Sequence, residues 1–201
     1  DNGLNLGIKT EKGVLPVPNY LFTTVEKVIE IGSEALGKLA DLCDKALEEG
    51  QQGRFLDEET LDLAPCVPDP GKIVCVGLNY RKHAEESNMA IPETPILFNK
   101  YNNTLVGHGD DIPLPDDSEQ VDYEAELAIV IGREAKKVSK DEALNYVFGY
   151  CNANDLSARD LQFRSNQWLL GKCLDGFCPL GPYLVTADEI SDPNALQIRC
   201  T

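Results

Sequence analysis

Glu124 and Glu126 stand two residues apart in a run, residues 123–132, that alternates like a β-strand. A period of two places Tyr123, Ala125, Leu127, Ile129 and Ile131 on one face and Glu124, Glu126, Ala128 and Val130 on the other, so both carboxylates share a face about 7 Å apart. Like charges that close, beside apolar neighbours, are unfavourable unless water, a counter-charge or a metal compensates them. The pair alone leaves two readings open, an exposed edge strand with solvated glutamates or a cation site. Asp155, at the end of the apolar run 150–154, offers a third carboxylate. Three carboxylates with water form a hard-oxygen site suited to Mg²⁺ or Mn²⁺ rather than zinc.

A second constellation is His83 with Glu86, three residues apart just after an apolar run at 72–77. If residues 81–88 are helical, the two side chains lie on one side, where the carboxylate orients the imidazole and raises its basicity. That is a general-base dyad; a surface helix without chemistry is the alternative, and Glu85 is a competing partner. Asp155, Arg159, Asp160 and Gln162 form a third group, followed by Gly171-Lys172. Gly171-Lys172 is not a phosphate loop, because Cys173 follows the lysine and the upstream glycine is missing. Lys172 can instead neutralise developing negative charge, Gln162 can hold a substrate oxygen or water, and Arg159 with Asp160 reads as a structural ion pair. His108, in Gly107-His108-Gly109-Asp110, reads as part of a turn.

These residues need elements to carry them. Residues 1–23 hold short extended runs broken by Gly13, Pro16 and Pro18, which predicts a small β element. Leu36, Leu39, Ala40, Cys43 and Leu47 recur at steps of three and four and predict an amphipathic helix from Ser33 to about Glu49, stopped by Gly50. An acidic, Pro-rich stretch at 56–71 reads as a connection, giving a small N-terminal domain over 1–65 and a second domain over 66–201. Residues 72–77 predict a buried strand. Ser139 and Glu142 form a capping box that predicts a short helix ending at Gly149, and 150–154, 181–186 and 196–200 read as strands.

The chain has 201 residues, 34 acidic against 18 basic, for a formal charge of −16. A nucleic-acid footprint needs clustered Lys and Arg, which are lacking, so nucleic acid and anionic membrane are poor partners. No apolar run reaches the ~20 residues of a membrane span, and no basic-then-apolar leader opens the chain. Seven cysteines without a C-x-x-C pair suit reduced thiols and a cytoplasmic protein.

Taken in order, Gly77-Leu-Asn-Tyr80 with His83 and Glu86, Asp122-Tyr-Glu124-Ala-Glu126-Leu, Phe148-Gly-Tyr, Asn154-Asp155 through Ala158-Arg159-Asp160-Leu-Gln162, Gly171-Lys172 and Cys178-Pro-x-Gly181-Pro resemble the fumarylacetoacetate hydrolase family, in its bacterial-type branch with a small N-terminal domain. The resemblance spans residues 72–185. It implies an α+β, mostly β fold, a mixed-sheet roll with a small N-terminal α/β appendage, as a homodimer. It implies Glu124, Glu126 and Asp155 as ligands of Mg²⁺ or Mn²⁺, and His83 and Glu86 as a catalytic dyad on a lid. Lys172 joins the catalytic set, with Gln162, Lys100 and Arg159 as substrate contacts. Cys173 after the lysine and the residues around Lys100 depart from the family pattern. The family continues past Thr201 into a Thr-Gly-Thr-Pro loop, so the chain is expected to be incomplete there.

A 2-oxo acid chelates such a metal through carboxylate and keto oxygens, which stabilises the enolate left when a carbon–carbon bond breaks. The expected function is hydrolysis of a 2,4-dioxo acid of the acylpyruvate or fumarylpyruvate type. The alternatives are decarboxylation of oxaloacetate, decarboxylation or isomerisation of another 2-oxo acid, and a metal-binding family member without catalysis.

Overall fold

In the computed structural model, which describes residues 3–50 and 52–200, the chain opens with β1 (Gly7–Thr10) and β2 (Gly13–Pro16), an antiparallel hairpin as the broken extended runs predict. Gly13 sits at φ 119°, and a Cβ there would lie 2.4 Å from the Leu56 carbonyl oxygen, so only glycine lets the hairpin dock on that segment. Two helices follow. Thr24 caps α1 (Val25–Ile31) by accepting from the Lys27 amide, and Gly32 at φ 71° turns the chain into α2 (Ser33–Glu48). The periodicity predicts α2 well, whereas α1 is too short to announce itself. Val17, Phe22, Val28 and Ala35 form the core of this part, against which Phe148 of the later chain also packs.

The second part is built from short strands. β3 (Ile73–Gly77) pairs antiparallel with β4 (Ile96–Lys100), and α3 (Arg81–Glu86) lies between them in the chain. β5 (Leu105–Val106) runs parallel to β10 (Cys178–Pro179). β6 (Val121–Asp122) pairs with β9 (Ser157–Ala158), and β7 (Ala125–Ile131) with β8 (Val147–Asn154), which also takes β11 (Val185–Thr186) on its other edge. Two one-turn helices, α4 (Arg159–Gln162) and α5 (Leu169–Lys172), follow β9. Among the described residues the largest sheet has three strands, so the architecture is a mixed α/β arrangement of small sheets rather than one β-dominated layer.

Several expectations change. The capping box at Ser139 is a side-chain contact, Ser139 Oγ to Glu142 Oε2 at 3.2 Å, without a backbone cap, and the segment Lys140–Tyr146 is a 3-10 helix. The strand after it starts at Val147, not at 150. Within residues 181–186 only Val185–Thr186 is strand, although the Gly181 amide also donates to the Asn152 carbonyl at 3.0 Å, and residues 196–200 form no strand. The expected continuation past Thr201 lies outside the described residues. No helix among the described residues is long and apolar enough to cross a membrane, and all seven cysteines are free thiols.

Candidate active site

Strand register brings the acidic residues together. In the β7–β8 ladder Ala125 faces Asn154, and in the β6–β9 ladder Asp122 faces Ser157. Both ladders share one antiparallel register, which sets Glu124 opposite Asp155 at the gap between them. The Asp155 amide donates to the Glu124 carbonyl at 2.9 Å, and the Glu124 amide to Asn154 Oδ1 at 3.1 Å. Glu126 follows two residues on, and its strand face is the inner one, since Ala128 and Val130 pack against Val67, Cys151 and Leu180. The isoleucine face is the open one, with Ile129 52% and Ile131 54% exposed.

Cations meet these carboxylates. Lys172 Nζ donates to Glu124 Oε2 at 2.8 Å and to Asp155 Oδ2 at 2.7 Å, while Lys100 Nζ stands 2.8 Å from Asp155 Oδ1. Arg159 Nη2 donates to Glu124 Oε1 at 2.6 Å and to Asp122 Oδ2 at 2.8 Å, and Nη1 to Gln162 Oε1 at 3.0 Å. Burial alone would raise the Glu124 pKa, but the charges and hydrogen bonds of Lys172 and Arg159 outweigh it and hold the carboxyl below its usual range. Glu126 has no such cation. Burial pushes its pKa up to about 7 and the charges of Glu124 and Asp155 add to the rise, against a hydrogen bond from Tyr80 and the more distant Lys172 charge.

A glycine explains how Lys172 arrives. A Cβ on Gly171 would lie 2.5 Å from the Ala158 carbonyl oxygen and 2.6 Å from the Gln162 amide nitrogen, so α5 lies against β9 and α4 only because residue 171 has no side chain. The ammonium then stands 5.0 Å above the Phe98 ring, which meets Trp168 edge-on at 5.4 Å.

The residues singled out from the sequence are thus distributed as follows. Glu124, Asp155, Lys172, Arg159 and Gln162 form one bonded cluster, with Glu126 beside it. His83 joins from α3, its Nε2 3.8 Å from Glu124 Oε1. Glu86 does not, since it is exposed on α3 and makes no hydrogen bond to His83, so in this conformation the imidazole faces the carboxylate of β7's approach rather than its i, i+3 neighbour. The ion pair expected between Arg159 and Asp160 is not formed: Arg159 turns to Asp122 and Glu124, and Asp160 instead accepts from Ser118 Oγ at 2.6 Å and the Glu119 amide at 3.1 Å. The substrate contact expected of Lys100 meets a steric bar, because its side chain is fully enclosed. Tyr80 and Asp122 were missed as parts of the site, although both lie within the motifs that carry the resemblance. His108 lies in a turn closed by the Gly107 amide on Asp110 Oδ2 at 2.7 Å.

Asp155 Oδ1 is buried and accepts no hydrogen bond, an acceptor that suits a hard cation, and Glu124 and Glu126 supply further oxygens of the same kind. Among the described residues no three His, Cys, Asp or Glu side chains converge as a ready ligand set, because Lys172 stands between Glu124 and Asp155.

The family model described as fumarylacetoacetate hydrolase, C-terminal, matches residues 72–201. The mitochondrial oxaloacetate tautomerase of Xenopus laevis is 44% identical over 178 residues, 88% of this chain and 54% of that protein. A fumarylacetoacetate hydrolase domain-containing protein 2 homolog of Dictyostelium discoideum is 52% identical over 143 residues, 66% of this chain and 47% of that protein. The chain spans about half the length of these curated relatives. Among solved structures, a maleylpyruvate hydrolase from Sphingobium in complex with manganese(II) and pyruvate superposes with a TM-score of 0.74 at 26% identity, over 96% of this chain and 67% of that one. A fumarylacetoacetate hydrolase from Exiguobacterium antarcticum gives 0.70 at 34% identity, over 94% and 64%. Similarity of sequence over the second part of the chain and of fold over nearly all of it agree: this chain belongs to the fumarylacetoacetate hydrolase family.

Proposed function

We propose that the protein is a Mg²⁺- or Mn²⁺-dependent enzyme of enolate chemistry on small 2-oxo acids, and that its first reaction is keto–enol proton transfer on an oxaloacetate-type substrate. The observation that carries this is the meeting of Glu124 and Asp155 with Lys172 at the gap between two ladders, with Glu126 close enough for their charges to raise its pKa and Asp155 Oδ1 buried without a hydrogen-bond donor. Glu124, Glu126 and Asp155 would hold the cation, which when bound supplies Lewis-acid stabilisation of negative charge on the keto oxygen. Lys172, enclosed and fixed against Phe98, places a positive charge beside the same oxygens and favours the charge that develops there. His83, part-exposed at the mouth, is positioned to take and return the proton. Arg159 and Gln162 brace Glu124 and shape the wall rather than reach outward.

Tautomerisation comes first for two reasons. Relatives from Xenopus laevis and Rattus norvegicus, at 44% and 50% identity, carry the name oxaloacetate tautomerase, and His83 is not paired with Glu86 as a water-activating dyad. Hydrolysis of an acylpyruvate is the second reading, favoured by the likeness to the maleylpyruvate hydrolase, and it requires α3 to bring Glu86 to His83. Residues 66–201 serve as the catalytic unit and 1–65 as its scaffold, a division that the start of the family match at residue 72 supports, and the unit acts as a homodimer as the family resemblance implies. The free thiols suit a reducing compartment, cytoplasmic or, as the names of the Xenopus laevis and Rattus norvegicus relatives have it, mitochondrial.

NMR of oxaloacetate and of acetylpyruvate, with Mg²⁺ and then with excess chelator, tests this against a metal-only background. Chelator-sensitive acceleration of keto–enol exchange supports tautomerisation, pyruvate with acetate supports hydrolysis, and pyruvate with CO₂ supports decarboxylation. No protein-dependent change on any 2-oxo acid would make this a family member without catalysis.

A further inference from the structure

Lys100 closes β4 and points into a space from which solvent is excluded. Its ammonium donates to the carbonyl of Leu156 at 3.1 Å, of Lys172 at 2.5 Å and of Phe177 at 2.8 Å. An ammonium has three hydrogens, and three carbonyls take them all. Asp155 Oδ1 nevertheless lies 2.8 Å from the same nitrogen, and it accepts no hydrogen bond. The contact therefore gives the carboxylate charge compensation outside the three hydrogen bonds that the ammonium donates. The carbonyls come from the turn after Asp155, from the end of α5 and from the approach to β10, so one nitrogen ties together the segments that carry Asp155 and Lys172.

We propose that Lys100 is a positioning residue, a buried ammonium that holds the Asp155 carboxylate by charge alone and so leaves Oδ1 free to ligate a divalent cation, while it anchors the main chain of Lys172. The role rests on the reading of Glu124, Glu126 and Asp155 as the cation ligands. Without Lys100 the remaining cation at Asp155 is Lys172, 2.7 Å from Oδ2. The carboxylate then turns both oxygens toward it, and Oδ1 is withdrawn from the site.

Mg²⁺ calorimetry on the wild type, Lys100→Gln and Lys100→Met separates this from a merely structural role. The glutamine amide can still donate to two of the three carbonyls but carries no charge, so Lys100→Gln should melt above Lys100→Met while both bind Mg²⁺ at least about tenfold more weakly, as outer partners of metal ligands do on mutation. Unchanged or tighter Mg²⁺ binding by folded Lys100→Gln overturns the role of Lys100 and leaves the proposed activity standing. A wild type that binds no Mg²⁺ overturns both. Should neither variant fold, the wild-type lysine ammonium decides: NMR couplings across its hydrogen bonds should run to the three carbonyls and not to Asp155, and a coupling to the Asp155 carboxylate overturns the proposal.

Discussion

Lys172 Nζ satisfies one oxygen each of Glu124 and Asp155, so its removal frees one oxygen on each, while Arg159 still holds Glu124 Oε1 and Lys100 stays beside Asp155 Oδ1. Lys172→Met is expected to keep or strengthen Mg²⁺ binding by calorimetry while turnover falls by at least about a hundredfold, the size of effect seen when one preorganised electrostatic group is lost. Asp155→Asn should lose both Mg²⁺ binding and turnover; retained turnover would refute the ligand assignment. Glu126 gives a pH signature. Its folded pKa of about 7 exceeds the ordinary carboxylate value of 4.5, so below pH 4.5 the group is protonated in both states and has no effect on stability. Between pH 4.5 and about 7 the unfolded chain ionises first and the metal-free fold loses stability, with the full cost above pH 7. The Tm difference between wild type and Glu126→Gln should therefore turn against the wild type across that window, and Mg²⁺ should reverse it at pH 8. A difference that is flat with pH would show that Glu126 is not held this way.

At the scale of elements, the close approach of α5 is the part most exposed to disruption. Gly171→Ala places a methyl group 2.5 Å from the Ala158 carbonyl, backbone that cannot swing aside, so a loss of about 1–3 kcal/mol is expected in urea unfolding, together with displacement of Lys172 and lost turnover. A mutant as stable and active as wild type would mean that α5 can shift without cost. The sequence shows this element poorly. Residues 169–172 make one turn, too little for periodicity, and only the glycine hints at contact. The alternation in 123–131 did announce a strand and the shared face of Glu124 and Glu126. Which face would be buried depended on β8 and on the segment around Val67, and partners set that choice against the hydrophobicity of Ile129 and Ile131. The α2 helix was legible because a 16-residue stripe stands on its own, whereas the Arg159 pairing with Asp122 depends on a neighbour 37 positions away.

Across the whole molecule the apolar interior is divided into small clusters, one near the N-terminus, one around Leu156 and Phe177, and one around Cys151 and Leu180. Leu15 is fully buried, and Leu15→Ala should cost about 2–5 kcal/mol while leaving Mg²⁺ affinity unchanged, as expected if the first 65 residues act as a scaffold. A matched loss of Mg²⁺ binding would instead tie that part directly to the site. The Lys100 cage spans the longest stretch of chain in the site: its three carbonyls lie 56, 72 and 77 residues further on. Contacts that far apart form only after long loops have closed, so they belong to the slow end of folding. During synthesis β4 emerges with its lysine still in water, and the ammonium cannot leave water until residues 156–177 have arrived. If the cage closes after the rate-limiting step, Lys100→Gln should speed unfolding far more than it slows refolding in stopped-flow measurements.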